Sequence, residues 1–365
     1  MSMFDQAVES GIGAIGEYLR QSHDDLQGQQ DHCRAASGAV AWLERKLREH
    51  YGMKHALCVS NATTGLYTLG LALGLKEDEF VTTPLTYGAT IAGLLLLGNN
   101  PRFTDVDPET LTLDPNCTAR AITRRTKAIV SVDIFGTPAD GYSLRKLADE
   151  HGLWLISDSS QSFGAKRDGM AAGSFADALV ISFTAGKTLF AGEGGAVVTN
   201  NSGLYEKLVY WSQHPLRQRV ELGLQLDNEF AFNARISPLS ALWANAMFEP
   251  ALEKLRRRQR KYRSISNLLN QSDLTRQIRL HESRIESAYF RLVARWKNKP
   301  QAASLISFLS RRRIEAAIEP LPVRLLYKQP HLAARMLHRL KKVQCANAEQ
   351  AMNDGFVLSL KKRRG

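Results

Sequence analysis

The sequence has few cysteines and no long apolar run. None of the four cysteines lies within four positions of another, which excludes the paired spacing of zinc and disulfide-rich domains: Cys33, Cys58, Cys117 and Cys345. The longest apolar run, around residues 91–97, is far shorter than the ~20 residues that cross a bilayer. The N-terminus also lacks the basic and apolar segments of a signal peptide. We therefore expect a cytoplasmic protein with no metal site and no membrane partner.

The charge is unevenly distributed along the chain. Of the 365 residues, 44% are apolar and 23% are charged, which is typical of one large or two ordinary folded domains. Residues 251–365 hold 27 Lys and Arg against 8 Asp and Glu, whereas residues 1–250 hold 21 against 28. This asymmetry indicates a boundary near residue 250 and an anionic ligand for the basic part. A solvated basic surface is the alternative, and nucleic acid is disfavoured because basic and aromatic residues do not alternate.

Short apolar runs rich in β-branched residues alternate with helical patterns over the first 200 residues. Seven runs read as strands: 55–60, 80–83, 102–106, 127–134, 153–157, 178–184 and 195–199. Helical patterns at 39–50, 63–74, 88–97 and 142–151 lie before or between them. This alternation predicts an α/β fold with a mostly parallel seven-stranded sheet covered on both faces.

The C-terminal part has a different pattern. Residues 238–271 and 300–312 read as helices, and residues 288–295 read as a strand. We predict a large domain over 1–245, with the first ~20 residues as a helical arm, and a smaller, basic α+β domain over 246–365.

Two of the predicted strands are followed by residues that suit an anionic or basic ligand group. SNATTGL, at 60–66, predicts a turn into a helix, whose free N–H groups suit a phosphate; a plain helix cap is the alternative. Asp158 ends a buried strand and could accept a hydrogen bond from a protonated ring nitrogen; a capping or salt-bridged carboxylate is the alternative.

Lys187 lies in a glycine-rich loop between two apolar strands. Gly186, Lys187 and Thr188 resemble the end of a phosphate-binding P-loop, but Ile181 stands where that motif requires glycine. A desolvated lysine is instead suited to a Schiff base with a carbonyl group. Ligands of parallel sheets bind at the carboxyl ends of the strands, where an acid, a lysine and a helix start would meet. Such a set, with Tyr87 available to stack on a ring, is what a pyridoxal phosphate site requires.

The sequence resembles the DegT/DnrJ/EryC1/StrS family of sugar aminotransferases, a branch of the fold-type I pyridoxal phosphate (PLP) enzymes. The resemblance covers roughly residues 35–250 and rests on SNATTGL (60–66), TPLTYGAT (83–90), FTDVDPETLTLDP (103–115), IFGTPAD (134–140), SDSSQSFGA (157–165), SFTAGKTLFAGEGGAVVTN (182–200) and FNARISPLSAL (232–242). It implies a fold-type I architecture, with a large PLP-binding domain and a small C-terminal domain that is shortened here.

The resemblance assigns a role to each matching residue. It implies that Lys187 carries PLP as a Schiff base and later moves the proton, and that Asp158 pairs with the pyridine nitrogen. The remaining cofactor-binding residues are Gln161 near the phenolic oxygen, Tyr87 stacked on the ring, Ala62, Thr63 and Ser182 at the phosphate, and Asn233 at the phosphate of a neighbouring subunit. The last role implies a homodimer.

The implied activity is transfer of an amino group from an amino acid, expected to be glutamate, to a keto sugar that is linked to a nucleotide, in a biosynthetic pathway. A non-sugar ketone such as a cyclitol is one alternative, and a non-catalytic binding protein on a degenerate fold is another. Three residues depart from the family pattern: Ala62 replaces a common glycine, while Phe163 and Asp133 each replace a frequent histidine. The last two positions are expected to face the substrate.

Overall fold

The computed structural model describes residues 2–24, 28, 34–276, 284–298, 300–332 and 343–360. The α-helices in these ranges are α1 (Met3–Asp24), α2 (Ala39–Tyr51), α3 (Ala62–Ala72), α4 (Ala89–Leu96), α5 (Pro115–Ala121), α6 (Gly141–His151), α7 (Ser202–Ser212), α8 (Pro215–Leu222), α9 (Pro238–Asn270), α10 (Ala302–Ser310) and α11 (Ala346–Asp354). The strands are β1 (His55–Val59), β2 (Glu79–Thr82), β3 (Asn100–Phe103), β4 (Thr126–Val132), β5 (Trp154–Asp158), β6 (Lys166–Arg167), β7 (Met170–Ala171), β8 (Ala178–Ser182), β9 (Gly195–Thr199), β10 (Thr275–Arg276), β11 (Ile285–Glu286), β12 (Val293–Trp296), β13 (Ala316–Pro320) and β14 (Gly355–Leu360).

The central sheet has seven strands in the order β1-β9-β8-β5-β4-β2-β3. The pairs from β8 to β3 are parallel, and β9 alone runs against its neighbours β1 and β8. The predicted α/β class and the seven predicted strands are therefore confirmed, each within a few residues of its predicted bounds. Strand β8 is buried along its whole length, as expected of a strand covered on both faces.

Helices cover the two faces of this sheet. On one face α3, α4 and α7 bury apolar residues of their own, such as Leu66, Leu94 and Leu208, against the sheet. On the other face α2 and α9 bury Leu43, Leu47 and other apolar residues. Helix α2 ends at Tyr51 and is capped by Gly52 in the left-handed conformation, with a φ of 62°.

The N-terminal arm and the C-terminal sheet both pack against the 33-residue helix α9. Helix α1 lies along it, with Gly11 against the indole of Trp243. The C-terminal residues form an antiparallel sheet, β10-β12-β14-β13, with its own apolar cluster. The predicted boundary between residues 245 and 246 lies inside α9, where the backbone continues as helix rather than linker. The division into two domains stays a prediction.

Candidate active site

The candidate site residues lie at the carboxyl edge of the central sheet. Asp158 is the last residue of β5, Tyr87 follows β2, and α3 begins directly after β1. Lys187 lies in the turn that connects β8 to β9. The parallel topology therefore brings to one edge residues that are up to 125 positions apart, from Ala62 to Lys187, as the sequence predicts.

Asp158 is a buried carboxylate with a fixed orientation. Its Oδ2 accepts a hydrogen bond of 2.6 Å from the Thr90 hydroxyl, which is itself 2.8 Å from that of Thr86. Its Oδ1 accepts a hydrogen bond from the backbone N–H of Ser160. A carboxylate oxygen can accept more than one hydrogen bond, so Asp158 retains capacity for a further donor.

Lys187 is partly buried, and its amine is easier to deprotonate than a surface lysine. Burial lowers the pKa of Lys187; the negative charge of Asp158 opposes that shift, and the positive charge of Arg291 adds to it. The Nζ atom lies 5.0 Å from the centroid of the Phe290 ring. Burial therefore makes the neutral amine, the form that acts as nucleophile and base, easier to reach than for a surface lysine.

The start of α3 is a helix N-terminus with available N–H groups. The Asn61 side chain caps it by accepting from the N–H of Thr64, which leaves those of Ala62 and Thr63 without an acceptor among the described residues. Gly195 permits this arrangement, because a Cβ there would lie 2.7 Å from the Ala62 nitrogen. Ala62 has a negative φ, so the chain needs no glycine at this turn. The Ser182 hydroxyl, at the end of β8, bonds with that of Thr184 at 3.1 Å.

Gln161 is held by the turn after β4. Its Oε1 accepts a hydrogen bond of 2.7 Å from the backbone N–H of Phe135. Since this contact uses the amide oxygen, the Nε2 group is the part of Gln161 that can donate to a ligand. Phe135 has a positive φ of 57°, a conformation that non-glycine residues rarely adopt and that is enriched at functional sites.

Tyr87 and Asn233 are placed differently from the buried residues. Tyr87 is 41% exposed, so part of the residue is accessible to a ligand. Asn233 is exposed, and its segment is fastened by a hydrogen bond of 2.7 Å from the Ser60 N–H to the Ala234 carbonyl. The stacking role of Tyr87 and the cross-subunit role of Asn233 stay predictions.

The expectation that Asp133 and Phe163 face the substrate is wrong. Asp133 is fully buried and accepts hydrogen bonds from the Ala139 N–H and from the hydroxyls of Ser159 and Ser162. Burial raises the pKa of Asp133 to about 6 against those bonds. Phe163 stacks on His50 at 4.7 Å, on the α2 side of the sheet. Both side chains therefore support the site from within the core.

The sequence reasoning missed Thr90, Phe290 and Arg258. Thr90 is the last residue of the TPLTYGAT motif (83–90), but only the fold places its hydroxyl against Asp158. Phe290 reaches Lys187 because residues 287–291 are hydrogen-bonded to the Phe135–Gly136 turn, from the Ser287 Oγ, the Ala288 N–H and the Arg291 N–H. Arg258, on α9, donates to the Thr188 hydroxyl at 2.7 Å. A cluster of arginines at 256–260 was visible, but not which of them turns inward.

The fold and this site define an α/β protein with a partly buried lysine and a buried acid at one sheet edge. The DegT/DnrJ/EryC1/StrS aminotransferase family matches residues 29–363, and the chain belongs to that family. Within the described ranges, no helix is both long and apolar enough to cross a membrane.

Similar proteins include several nucleotide-sugar aminotransferases. The GDP-perosamine synthase of Escherichia coli O157:H7 is 37% identical over 170 residues, which are 46% of this chain and 47% of that protein. The dTDP-3-amino-3,4,6-trideoxy-alpha-D-glucose transaminase of Micromonospora megalomicea subsp. nigra is 37% identical over 191 residues, 51% of each chain. The chain thus spans about half the length of these curated relatives. The crystal structure of DesI with its TDP-sugar product superimposes with a TM-score of 0.73 at 26% identity, over 94% of this chain and 83% of that one.

Proposed function

We propose that this chain is a PLP-dependent aminotransferase that transfers the amino group of an amino acid, expected to be glutamate, to the keto group of a nucleotide-linked sugar. The observation that carries the proposal is the placement of a partly desolvated Lys187 near the buried carboxylate of Asp158, at one sheet edge with a free helix N-terminus. The family membership and the sugar substrates named for the similar proteins support it.

The residues present fit the cofactor. The Asp158 carboxylate suits a protonated pyridine nitrogen, and the N–H groups of Ala62 and Thr63 suit a phosphate, helped by the helix dipole and the Thr63 and Ser182 hydroxyls. Gln161 would donate to the ring oxygen, and Tyr87 would cover a ring face. A bound PLP would supply the electron sink that stabilises a carbanion at the amino-acid α-carbon.

Lys187 would carry PLP and move the proton. With its pKa lowered by burial, the amine can take the proton from the α-carbon and return it at another carbon as the conjugate acid. Asp158 keeps the site electrostatically balanced, because its negative charge faces both Lys187 and the position proposed for the pyridine nitrogen. The Phe290 ring shields the amine from water on one side.

Two further features belong to the proposal. Asn233 would reach the phosphate in a second copy of the chain, so the enzyme would be a homodimer with shared active sites. A cytoplasmic location agrees with Cys58, Cys117 and Cys345, which are free thiols.

The deciding experiment is an absorbance spectrum of the purified protein, before and after borohydride, with mass spectrometry of the reduced peptides. We expect a PLP band that glutamate removes, and a mass increase on the peptide containing Lys187. Lys187→Ala removes the attachment point, while Lys166→Ala, at an exposed lysine, is the matched control that keeps it. If PLP added to the wild-type protein gives no band, the proposal fails. A panel of nucleotide-linked keto sugars and cyclitol ketones then separates the two acceptor classes.

A further inference from the structure

Three inward-facing arginines on different elements differ in their partners. Arg217, fully buried, forms ion pairs with Glu44 at 2.9 Å and with Glu221 at 2.7 Å. Arg295, also buried, forms a two-point pair with Asp354 at 2.7 and 2.9 Å. Arg258 is partly buried, with its Nε enclosed, yet within the described ranges no carboxylate lies within 4 Å of its nitrogens. A buried charge without a counter-charge is unfavourable, so Arg258 calls for an external explanation.

The Arg258 guanidinium is hydrogen-bonded to the residue next to Lys187 in the chain. Its Nη2 donates to the hydroxyl of Thr188, the residue that follows Lys187. Its Nε is enclosed, and has no hydrogen-bond acceptor in the part of the chain that the structure describes. Burial lowers the pKa of Arg258; Tyr262 opposes that shift, and the positive charge of Arg291 adds to it. This guanidinium therefore has an unused hydrogen-bond donor, and the positive charge of Arg291 lies close enough to act on it.

Arg291 brings a second guanidinium to the same place. Its Cζ lies 4.8 Å from the Phe290 ring centroid, and the Lys187 Nζ lies 5.0 Å from that centroid. Arg291 is exposed, and its positive charge lowers the pKa of Lys187. Cations gathered in a partly enclosed site attract anions, and guanidinium groups match the geometry of carboxylate and phosphate oxygens.

The distance from the reacting nitrogen decides which anion fits this place, the α-carboxylate of the amino donor or the diphosphate of the acceptor. The amino group of the donor must react where Lys187 attaches the cofactor, and its α-carboxylate carbon is only about 2.5 Å from that nitrogen. In a nucleotide-linked keto sugar, ring carbons separate the keto group from the diphosphate. A guanidinium next to Thr188 is therefore suited to the α-carboxylate, which lies nearer to the reacting nitrogen than the diphosphate does.

We infer that Arg258, with Arg291 at the entrance, binds the α-carboxylate of the amino donor. This inference rests on the proposed aminotransferase function and names the residues that recognise its first substrate. Arg258 is then a substrate-binding residue whose donors are satisfied only when the amino acid is present.

The test compares two amines that differ only in the α-carboxylate, L-glutamate and 4-aminobutyrate. Each is titrated into the PLP-loaded protein while the cofactor band is followed. For Arg258→Gln we expect the glutamate concentration at half-change to rise about 10- to 100-fold, the effect of losing a hydrogen-bonded charge pair. The response to 4-aminobutyrate should stay within about threefold. Arg260→Gln, on the exposed side of the same helix, is the matched control and should change neither.

A second readout requires no cofactor and separates this inference from the proposed function. Glutarate should raise the melting temperature of the cofactor-free wild type and of Arg260→Gln, but not of Arg258→Gln. Loss of protection by pyrophosphate instead of glutarate would assign the site to a diphosphate and overturn the inference. An Arg258→Gln protein that melts lower than wild type and responds less to both amines would show a structural role and also overturn it. Failure of the wild-type cofactor band to respond to glutamate would count against the proposed function, and the glutarate result would still decide the role of Arg258.

Discussion

At the sheet edge, the polar groups around Asp133 and Asp158 are hydrogen-bonded to residues of the same chain. Asp133 accepts from three donors, and Asp158 accepts from Thr90 and Ser160. The polar groups brought by α9 and by the segment before it differ. Arg258 and Asn233 both retain donors for which the described residues provide no acceptor.

The difference shows which polar groups of the site find hydrogen-bond partners when the single chain folds, and which do not. Buried polar groups in native proteins nearly always have partners, so a self-satisfied network marks a region that is fixed in the free chain. Groups that lack partners in one chain are those that a ligand or a second subunit would satisfy. The comparison predicts that substitutions of groups with a complete network, such as Asp133, change stability, while substitutions in the second group change binding and assembly.

The largest expected effect concerns Asn233, which acts either in the active site of its own subunit or in that of a second copy. We expect Lys187→Ala and Asn233→Ala each to reduce activity by at least about a hundredfold. If the active sites are shared, co-expression of the two variants in equal amounts leaves one site in four intact and restores about a quarter of the wild-type activity. The measurement is the specific activity of the mixed protein against each variant alone.

Glu229→Ala, at another exposed residue of the loop between α8 and α9, serves as the control and should retain full activity by itself. Mixed protein that is as inactive as the two parents would place Asn233 in its own subunit. The homodimer with shared sites would then have to be abandoned.

The next largest effect is expected at Gly136, where residues 287–291 are hydrogen-bonded to the sheet edge. Gly136 has a φ of 90°, and a Cβ there would lie 2.7 Å from the Phe290 nitrogen. We expect Gly136→Ala to lower the free energy of unfolding by about 3 to 5 kcal/mol, from the combined backbone strain and close contact.

Gly152→Ala isolates the strain, because Gly152 has a φ of 62° with open space around its Cβ position. It should cost only about 1 kcal/mol in the same urea titration. Equal losses of unfolding free energy for the two variants would show that the close contact between an added Cβ and the Phe290 nitrogen adds nothing to the cost of strain.

The sequence predicted the positions of most site residues but not the contacts of their side chains. Lys187, Asp158 and the start of α3 could be found because each follows an apolar strand, and parallel strands end at a common edge. Phe163 and Asp133 were misread, since being next to a motif in sequence does not fix the face toward which a side chain points. Arg258 and Phe290 were not found because their roles depend on contacts across 70 to 103 positions. No local pattern encodes such contacts.

The smallest expected effect concerns Asp133, whose network is complete within the chain. Burial raises the pKa of Asp133 from 3.8 to about 6, so the folded state binds this proton more tightly than the unfolded state does. The stability that the group contributes is therefore full below pH 3.8 and is lost as the pH rises through about 6. Asp133→Asn keeps the shape and cannot ionise. The difference in unfolding free energy, wild type minus variant, should fall by roughly 2 to 3 kcal/mol between pH 3.5 and pH 7. Urea titrations across that range measure it, with Asp24→Asn at an exposed site to correct for net charge. A difference that does not change with pH would mean that folding leaves the pKa of Asp133 unchanged, and that its three donors offset the cost of burial.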